Sequence, residues 1–225
     1  MAFDYKVNRV TFSGTCFGGE EIWSTGFYMG HQNADVAPPT EAIAQDLSGW
    51  WGTFWAASNS KISNSYSYNH CKVQHYLADG TQDLGNLADY YLSTPQVAGG
   101  GTGAAAPQLS IVASLRSANA RGLASKGRMY LPGVNVPVST TTGKISSSAA
   151  GDLGTTLQTF FNAVNADTDI PGFAILASKG RSVAPTAPPL NALITALWIG
   201  DVYDTQRRRR NALNETYVTR TVTSA

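Results

Sequence analysis

The segment QLSIVASLRSANARGLASKGRMYLPG, residues 108–133, decides how the chain is organised. It begins with an apolar, β-branched run over residues 108–115, which predicts a strand. A basic loop rich in Gly, Ala and Ser follows, and residues 128–131 form a short apolar partner before Pro-Gly. A strand, a loop and a returning strand predict the opening of the second half of the protein.

The stretch before this segment is of low complexity. Residues 94–107 read TPQVAGGGTGAAAP, and this composition is typical of a flexible linker. It divides the chain almost at its middle. The sequence therefore predicts a single domain over residues 1–225, with two halves of similar element order at residues 1–93 and 108–225.

The first half combines strands with one helix. Residues 5–14, 21–29, 68–77 and 83–92 mix apolar, aromatic and polar side chains as half-buried strands do, and Asp79-Gly80 marks a hairpin turn. Between them, Thr40–Ser58 has apolar residues at the spacing of one helical face. The members of that face are Ile43, Leu47, Trp50, Trp51, Phe54 and Trp55.

The second half repeats this order. A second amphipathic helix is predicted over Ala149–Ala166, with Ser147 or Ser148 as its N-cap, and strands are predicted over residues 172–179 and 216–223. Residues 191–202 could form a helix or a strand, and a strand is favoured because the segment is short and contains Ile, Thr and Trp. The apolar spacing of the two helices is the same. The fold class expected is therefore α+β, mainly antiparallel β-sheet with two amphipathic helices.

Composition excludes several function classes. The net charge is +1 and only 14% of residues are charged, so no global field attracts nucleic acid or a membrane. Such a neutral, polar surface suits contact with other protein subunits. No apolar run reaches a membrane-spanning length, and residues 1–10 lack the apolar core of a secretory signal. Cys16 and Cys71 could form one disulfide, but two free buried thiols are the favoured expectation for a chain without a visible export signal.

No constellation in the sequence is typical of a catalytic or metal site. The histidines and cysteines that a metal could use do not follow a zinc-ligand spacing, and no G-x-S-x-G elbow is present. The run Gly99–Gly103 lacks the Lys-Ser/Thr pair of a phosphate loop. We therefore expect a protein that is not an enzyme and that uses no cofactor or metal. The metal candidates weighed are Cys16, His31, His70, Cys71 and His75.

Two basic clusters hold eight of the sixteen Lys and Arg residues. Each cluster is open to three interpretations: contact with phosphates of packaged nucleic acid, ion pairs with a neighbouring subunit, or a solvated face. Nearby carboxylates and the low net charge favour ion pairs over nucleic acid. The candidate contact residues are Arg116, Arg121, Lys126 and Arg128 in the first cluster and Arg207, Arg208, Arg209 and Arg210 in the second.

The pattern LRSANARGLASKGRMYLPG, followed downstream by IGDVYDTQRRRRNAL, resembles a group of small virus and bacteriophage proteins. Their signature is SLR…RGR-x-YLPG…DTQRRR, and this chain departs from it at Lys126, where the pattern has arginine. The resemblance implies a virion component and assigns no catalytic residues. It is consistent with a location in the virion after synthesis in the host cytoplasm.

The function expected is that of a non-enzymatic structural protein of a virus particle, a shell or capsid-associated protein that self-assembles. Its partners would be copies of itself and other virion proteins, with no membrane contact. A tail or head–tail connector protein is the first alternative. The second is a module that binds carbohydrate or single-stranded nucleic acid through the Trp50, Trp51 and Trp55 face, although helical core spacing favours burial of that face.

Overall fold

The fold combines two antiparallel sheets with two helices in a computed structural model that describes residues 5–16, 19, 21–31, 35–58, 66–97, 111–118, 124–131, 147–167, 173–176, 196–201 and 218–220. The first five elements are β1 (Val7–Cys16), β2 (Glu21–His31), α1 (Glu41–Ala57), β3 (Ser67–Tyr76) and β4 (Gln82–Val97). The remaining six are β5 (Ile111–Ala118), β6 (Ala124–Leu131), α2 (Ser147–Ala166), β7 (Phe173–Leu176), β8 (Ala196–Asp201) and β9 (Val218–Arg220).

All strand pairs in the described residues are antiparallel. One sheet has five strands in the order β4-β3-β1-β2-β7, and the other has four in the order β6-β5-β8-β9. The second sheet contacts the first through β6, which lies against β2 and β7. The predicted α+β class, mainly antiparallel with two helices, is thus confirmed.

Helix α1 begins where the sequence indicates. Pro38 and Pro39 precede it, and the Thr40 hydroxyl accepts a hydrogen bond from the Ile43 amide at 3.3 Å, which satisfies one of the free amides of the first turn. Its predicted apolar face is buried at Leu47, Trp51, Phe54 and Trp55. Helix α1 therefore lies on the five-stranded sheet with its aromatic side chains in the core.

Both halves of the chain contribute to one core. Leu153, Leu157, Phe160, Phe161 and Val164 of α2 are all buried in the same cluster as the α1 face and β1. The predicted spacing of α2 is correct, but the helix begins at Ser147. Ser147 and Ser148 therefore lie in its first turn, and the prediction that either residue is the N-cap is wrong.

Stacked aromatic rings form the centre of this core. Phe12 of β1 stacks on Trp51 with 4.4 Å between ring centroids, and Trp23 of β2 stacks on Trp55 at 5.1 Å. The Trp23 indole N–H donates to the Ser67 carbonyl at 2.8 Å. The indole N–H groups of Trp51 and Trp55 are buried without a hydrogen-bond partner, so these two rings hold α1 on the sheet through apolar area and ring stacking.

Strand β4 differs from the prediction at its far end. It continues through Val97 and so includes Thr94–Val97, the first four residues of the segment expected to be a linker. The rest of that segment, residues 98–107, lies outside the described residues. The division into halves stays a prediction, although β7 from the second half pairs with β2 from the first.

Candidate interaction surface

The first basic cluster is partly assembled by the four-stranded sheet. Arg116 of β5 is directly opposite Lys126 of β6, and Arg128 lies two positions further along β6. The three positions therefore share one face of the pair. Arg121 and Arg207–Arg210 lie outside the described residues.

The tryptophan face does not form an exposed platform. Trp51 and Trp55 are buried, with at most 1% of their surface exposed, and only Trp50 is partly exposed. Trp50 borders an open groove of about 170 Å³ between α1 and α2. The Thr53 and Thr159 hydroxyls, at this groove, donate to carbonyls of their own helices. The groove is therefore apolar and offers few polar groups to orient a ligand.

The candidate metal ligands are not gathered into a site. Within the described residues, no group of three or more His, Cys, Asp or Glu side chains could hold a metal ion. Cys16 and Cys71 are both buried and form no disulfide. Burial raises the pKa of the Cys71 thiol, with the Asp89 carboxylate adding to the shift. The Cys71 sulfur is thus a protonated core atom, as expected, and a poor nucleophile.

His75 lies on the buried face of β3 as part of a hydrogen-bond chain. Its Nδ1–H donates to the Asn8 side-chain oxygen at 2.8 Å, and the Asn8 amide donates to the Ala37 carbonyl at 3.2 Å. Burial lowers the pKa of His75. The chain joins β1, β3 and the segment before α1 through a neutral imidazole.

The opposite face of the five-stranded sheet is free of the two helices and carries a hydrogen-bonded row. The His70 Nε2–H donates to the Asp89 carboxylate at 2.7 Å, and the Ser13 hydroxyl lies 3.1 Å from Nδ1. Tyr91 stacks on the His70 ring at 4.0 Å, with an angle of 5° between the planes. The row spans three neighbouring strands, β1, β3 and β4.

This row has the side chains of a Ser–His–Asp triad but not its surroundings. Acyl transfer also needs amide donors aimed at the developing oxyanion. Ser13 and His70 lie on β1 and β3, which are paired on both sides in the sheet, so the neighbouring amides are committed to the ladder. The arrangement therefore fits a structural role, in which side-chain hydrogen bonds link the three neighbouring strands.

In the part of the chain that the structure describes, β4 is an edge strand of the five-stranded sheet and carries several exposed apolar side chains. Among the described residues, five large apolar side chains are exposed, and four of them lie on β4. They are Leu84, Leu87, Tyr91 and Val97, with 41–81% of their surface exposed. Large apolar side chains exposed on an edge strand indicate a candidate interaction site.

Of the usual protections of an edge strand, β4 has a proline, Pro95, and two irregularities in its register with β3, but it has no basic side chain. No lysine or arginine occurs in β4, and its two charged residues are Asp83 and Asp89. Asp83 accepts from the Gly85 amide and the Asn86 side chain, and Asp89 accepts from His70. Both carboxylates are thus held by hydrogen bonds to groups of their own chain.

This edge is the feature that the sequence prediction missed. The sequence predicts a strand over residues 83–92. No local pattern, however, shows that this strand lies at the edge of the described sheet. The only signal in the sequence is that the apolar-rich segment DLGNLADYYL, residues 83–92, contains no lysine. Neither α1 nor α2 has the length and apolar character that crossing a membrane requires, a finding that covers only the described residues.

Comparison with known proteins gives no relative for this chain: no family, no curated protein and no solved structure matches it.

Proposed function

We propose that this chain is a non-enzymatic structural protein of a virus particle, a shell or capsid-associated subunit that self-assembles with copies of itself and with other virion proteins. The observation that carries the proposal is the β4 edge, where four of the five exposed large apolar side chains of the described residues are collected. The resemblance to small virus and bacteriophage proteins supplies the biological setting.

Two further properties support a subunit role. The surface has few charges and a net charge of +1, so copies of the chain repel each other little. The hydrogen-bonded row of Ser13, His70 and Asp89 links neighbouring strands, and the apolar groove between the helices has few polar groups. Each of these features suits a building block better than an enzyme. In this account the protein is made in the host cytoplasm and ends in the virion.

Light scattering on the purified full chain tests this proposal. The expected result is a mean mass that rises with concentration above the 23.9 kDa of one chain, accompanied by regular particles in negative-stain electron micrographs. A mass that stays at one chain up to high concentration would overturn the proposal. Binding to nucleic acid that falls steeply with salt, without assembly, would instead indicate a role in packaging.

A further inference from the structure

Within β4, one short segment is positioned to pair with another strand. Register shifts interrupt the pairing of β3 with β4 on both sides of residues 87–91, where Gln74 to His70 pair one to one with Leu87 to Tyr91. We call residues 87–91 the regular segment. Because no other strand in the described ranges pairs with the outer side of β4, half of the backbone N–H and C=O groups in this segment point away from β3.

We propose that the regular segment pairs antiparallel with the same segment of a second copy, about a two-fold axis through Asp89. This inference rests on the proposed self-assembly and names the surface and register through which it occurs. The pairing would extend two five-stranded sheets into one continuous sheet across the interface.

The charge of the edge favours a second copy over a different partner. A basic partner would need free carboxylates on β4, but Asp83 and Asp89 are both engaged by groups of their own chain. Apart from Asp89, the regular segment LADYY consists of apolar and aromatic residues. An antiparallel edge can meet its own copy about a two-fold axis, which is the commonest symmetry of protein assemblies.

The register follows from the length of the regular segment. An axis through Asp89 brings all five residues of each copy into the pairing, and it places Leu87 opposite Tyr91 of the second copy twice. Such aromatic–aliphatic cross-strand pairs stabilise sheets. It also sets Ala88 opposite Tyr90, a small side chain opposite a large one. Moving the axis to Ala88 or Tyr90 would push one end of the pairing into the irregular part of β4.

The same axis places two Asp89 side chains opposite each other. Like charges at opposed positions weaken a sheet, but each carboxylate accepts a hydrogen bond from its own His70 at 2.7 Å. The Asp89→Asn substitution removes the remaining repulsion. We expect it to strengthen self-association by about two- to fivefold. Removing a hydrogen-bonded surface carboxylate would ordinarily weaken an interaction rather than strengthen it.

Disulfide trapping in the full chain tests the register. Directly opposed residues have Cα atoms about 4.5–5.5 Å apart, within the range that a disulfide spans. Single substitutions Leu87→Cys, Asp89→Cys and Tyr91→Cys all lie on the face away from the helices. Ser24→Cys, exposed on β2, is the matched control. The native Cys16 and Cys71 are buried and should not interfere.

Under mild oxidation, Asp89→Cys alone should form a covalent dimer. Leu87→Cys and Tyr91→Cys should each stay monomeric on a non-reducing gel, but a mixture of the two, one carrying a mass tag, should form the mixed dimer. Ser24→Cys should form none. A dimer of Tyr91→Cys or Leu87→Cys alone would overturn the register.

The outcomes separate this inference from the proposed function. If light scattering shows assembly while no β4 variant is trapped above the Ser24→Cys level, the protein self-assembles through another surface and the inference is wrong. If no variant is trapped and the wild-type chain stays monomeric at all concentrations, the proposed self-assembly itself fails.

Discussion

His75 shows how a single polar residue can be tolerated in the core. Only 1% of its surface is exposed, and its Nδ1–H is used by Asn8. Protonation would place a charge in this buried site. Burial lowers its pKa from the usual 6.5, and Asp83, Lys6 and Asp35 act on it more weakly. The folded protein therefore binds a proton at His75 less readily than the unfolded chain does.

This gives a pH dependence whose sign is fixed. Below about pH 6.5, His75 binds a proton more readily in the unfolded chain than in the folded protein. The free energy of unfolding should therefore fall as the pH decreases. Above that pH the effect is absent. In the His75→Gln variant, which does not titrate, the urea midpoint should change less between pH 7.5 and 5.5. Equal slopes for wild type and variant would contradict the account.

At the level of single residues, sequence patterns predicted burial better than exposure. Leu47, Trp51 and Phe160 lie at helical core spacing and are buried as expected. Leu87 and Tyr91 are just as apolar in sequence, yet 41% and 64% of their surface is exposed. Their exposure depends on β4 being the last strand of its sheet, and no local pattern encodes that position.

Two glycines illustrate how the same residue serves different elements. In β1, a Cβ on Gly14 would lie 1.8 Å from the Ser67 carbonyl oxygen, the atom that accepts the Trp23 indole N–H. In α1, a Cβ on Gly49 would have no neighbour within 4 Å. Strand packing requires the first glycine, whereas the helix gains nothing from the second.

The two alanine variants form a matched pair. We expect Gly14→Ala to destabilise the protein by about 1–3 kcal/mol, because the methyl group must displace backbone in a packed core. Gly49→Ala should stabilise it by about 0.5–1 kcal/mol, since alanine favours a helix interior. Thermal or urea unfolding measures both, and a Gly14→Ala protein as stable as wild type would show that the β1–β3 contact is looser than described.

Element positions were predicted well because they depend on local periodicity. The alternation Cys71, Val73 and His75 gave β3, and the 3.6-residue period gave both helices. The order of strands in each sheet was not predictable. It depends on pairings between distant residues, such as Tyr28 with Leu176, that no local pattern reports.

At the scale of the molecule, the two sides of the predicted linker are joined in one core. Phe160 of α2 lies 5.7 Å, between ring centroids, from Phe12 of β1 and 5.4 Å from Trp51 of α1. Any division into halves would have to break this aromatic cluster. The cluster therefore links residues from both sides of the predicted linker within one core.

The surface proposed for assembly differs from the one that the sequence indicates. The sequence directed attention to the arginine clusters, because charge is visible in a sequence. Of these, Arg116, Lys126 and Arg128 lie together on one sheet face. The β4 edge is recognised only from strand order combined with exposure, and because β4 contains no Lys or Arg it does not stand out in the sequence.

Sedimentation velocity over a concentration series tests the central claim, that the chain self-assembles through the β4 edge, most directly. The comparison uses wild type, Tyr91→Lys on the edge, and Ser24→Lys on the same sheet face but on β2. We predict that wild type and Ser24→Lys associate alike, while Tyr91→Lys sediments as a folded single chain at concentrations where wild type has assembled. Equal association of Tyr91→Lys and wild type would contradict the claim.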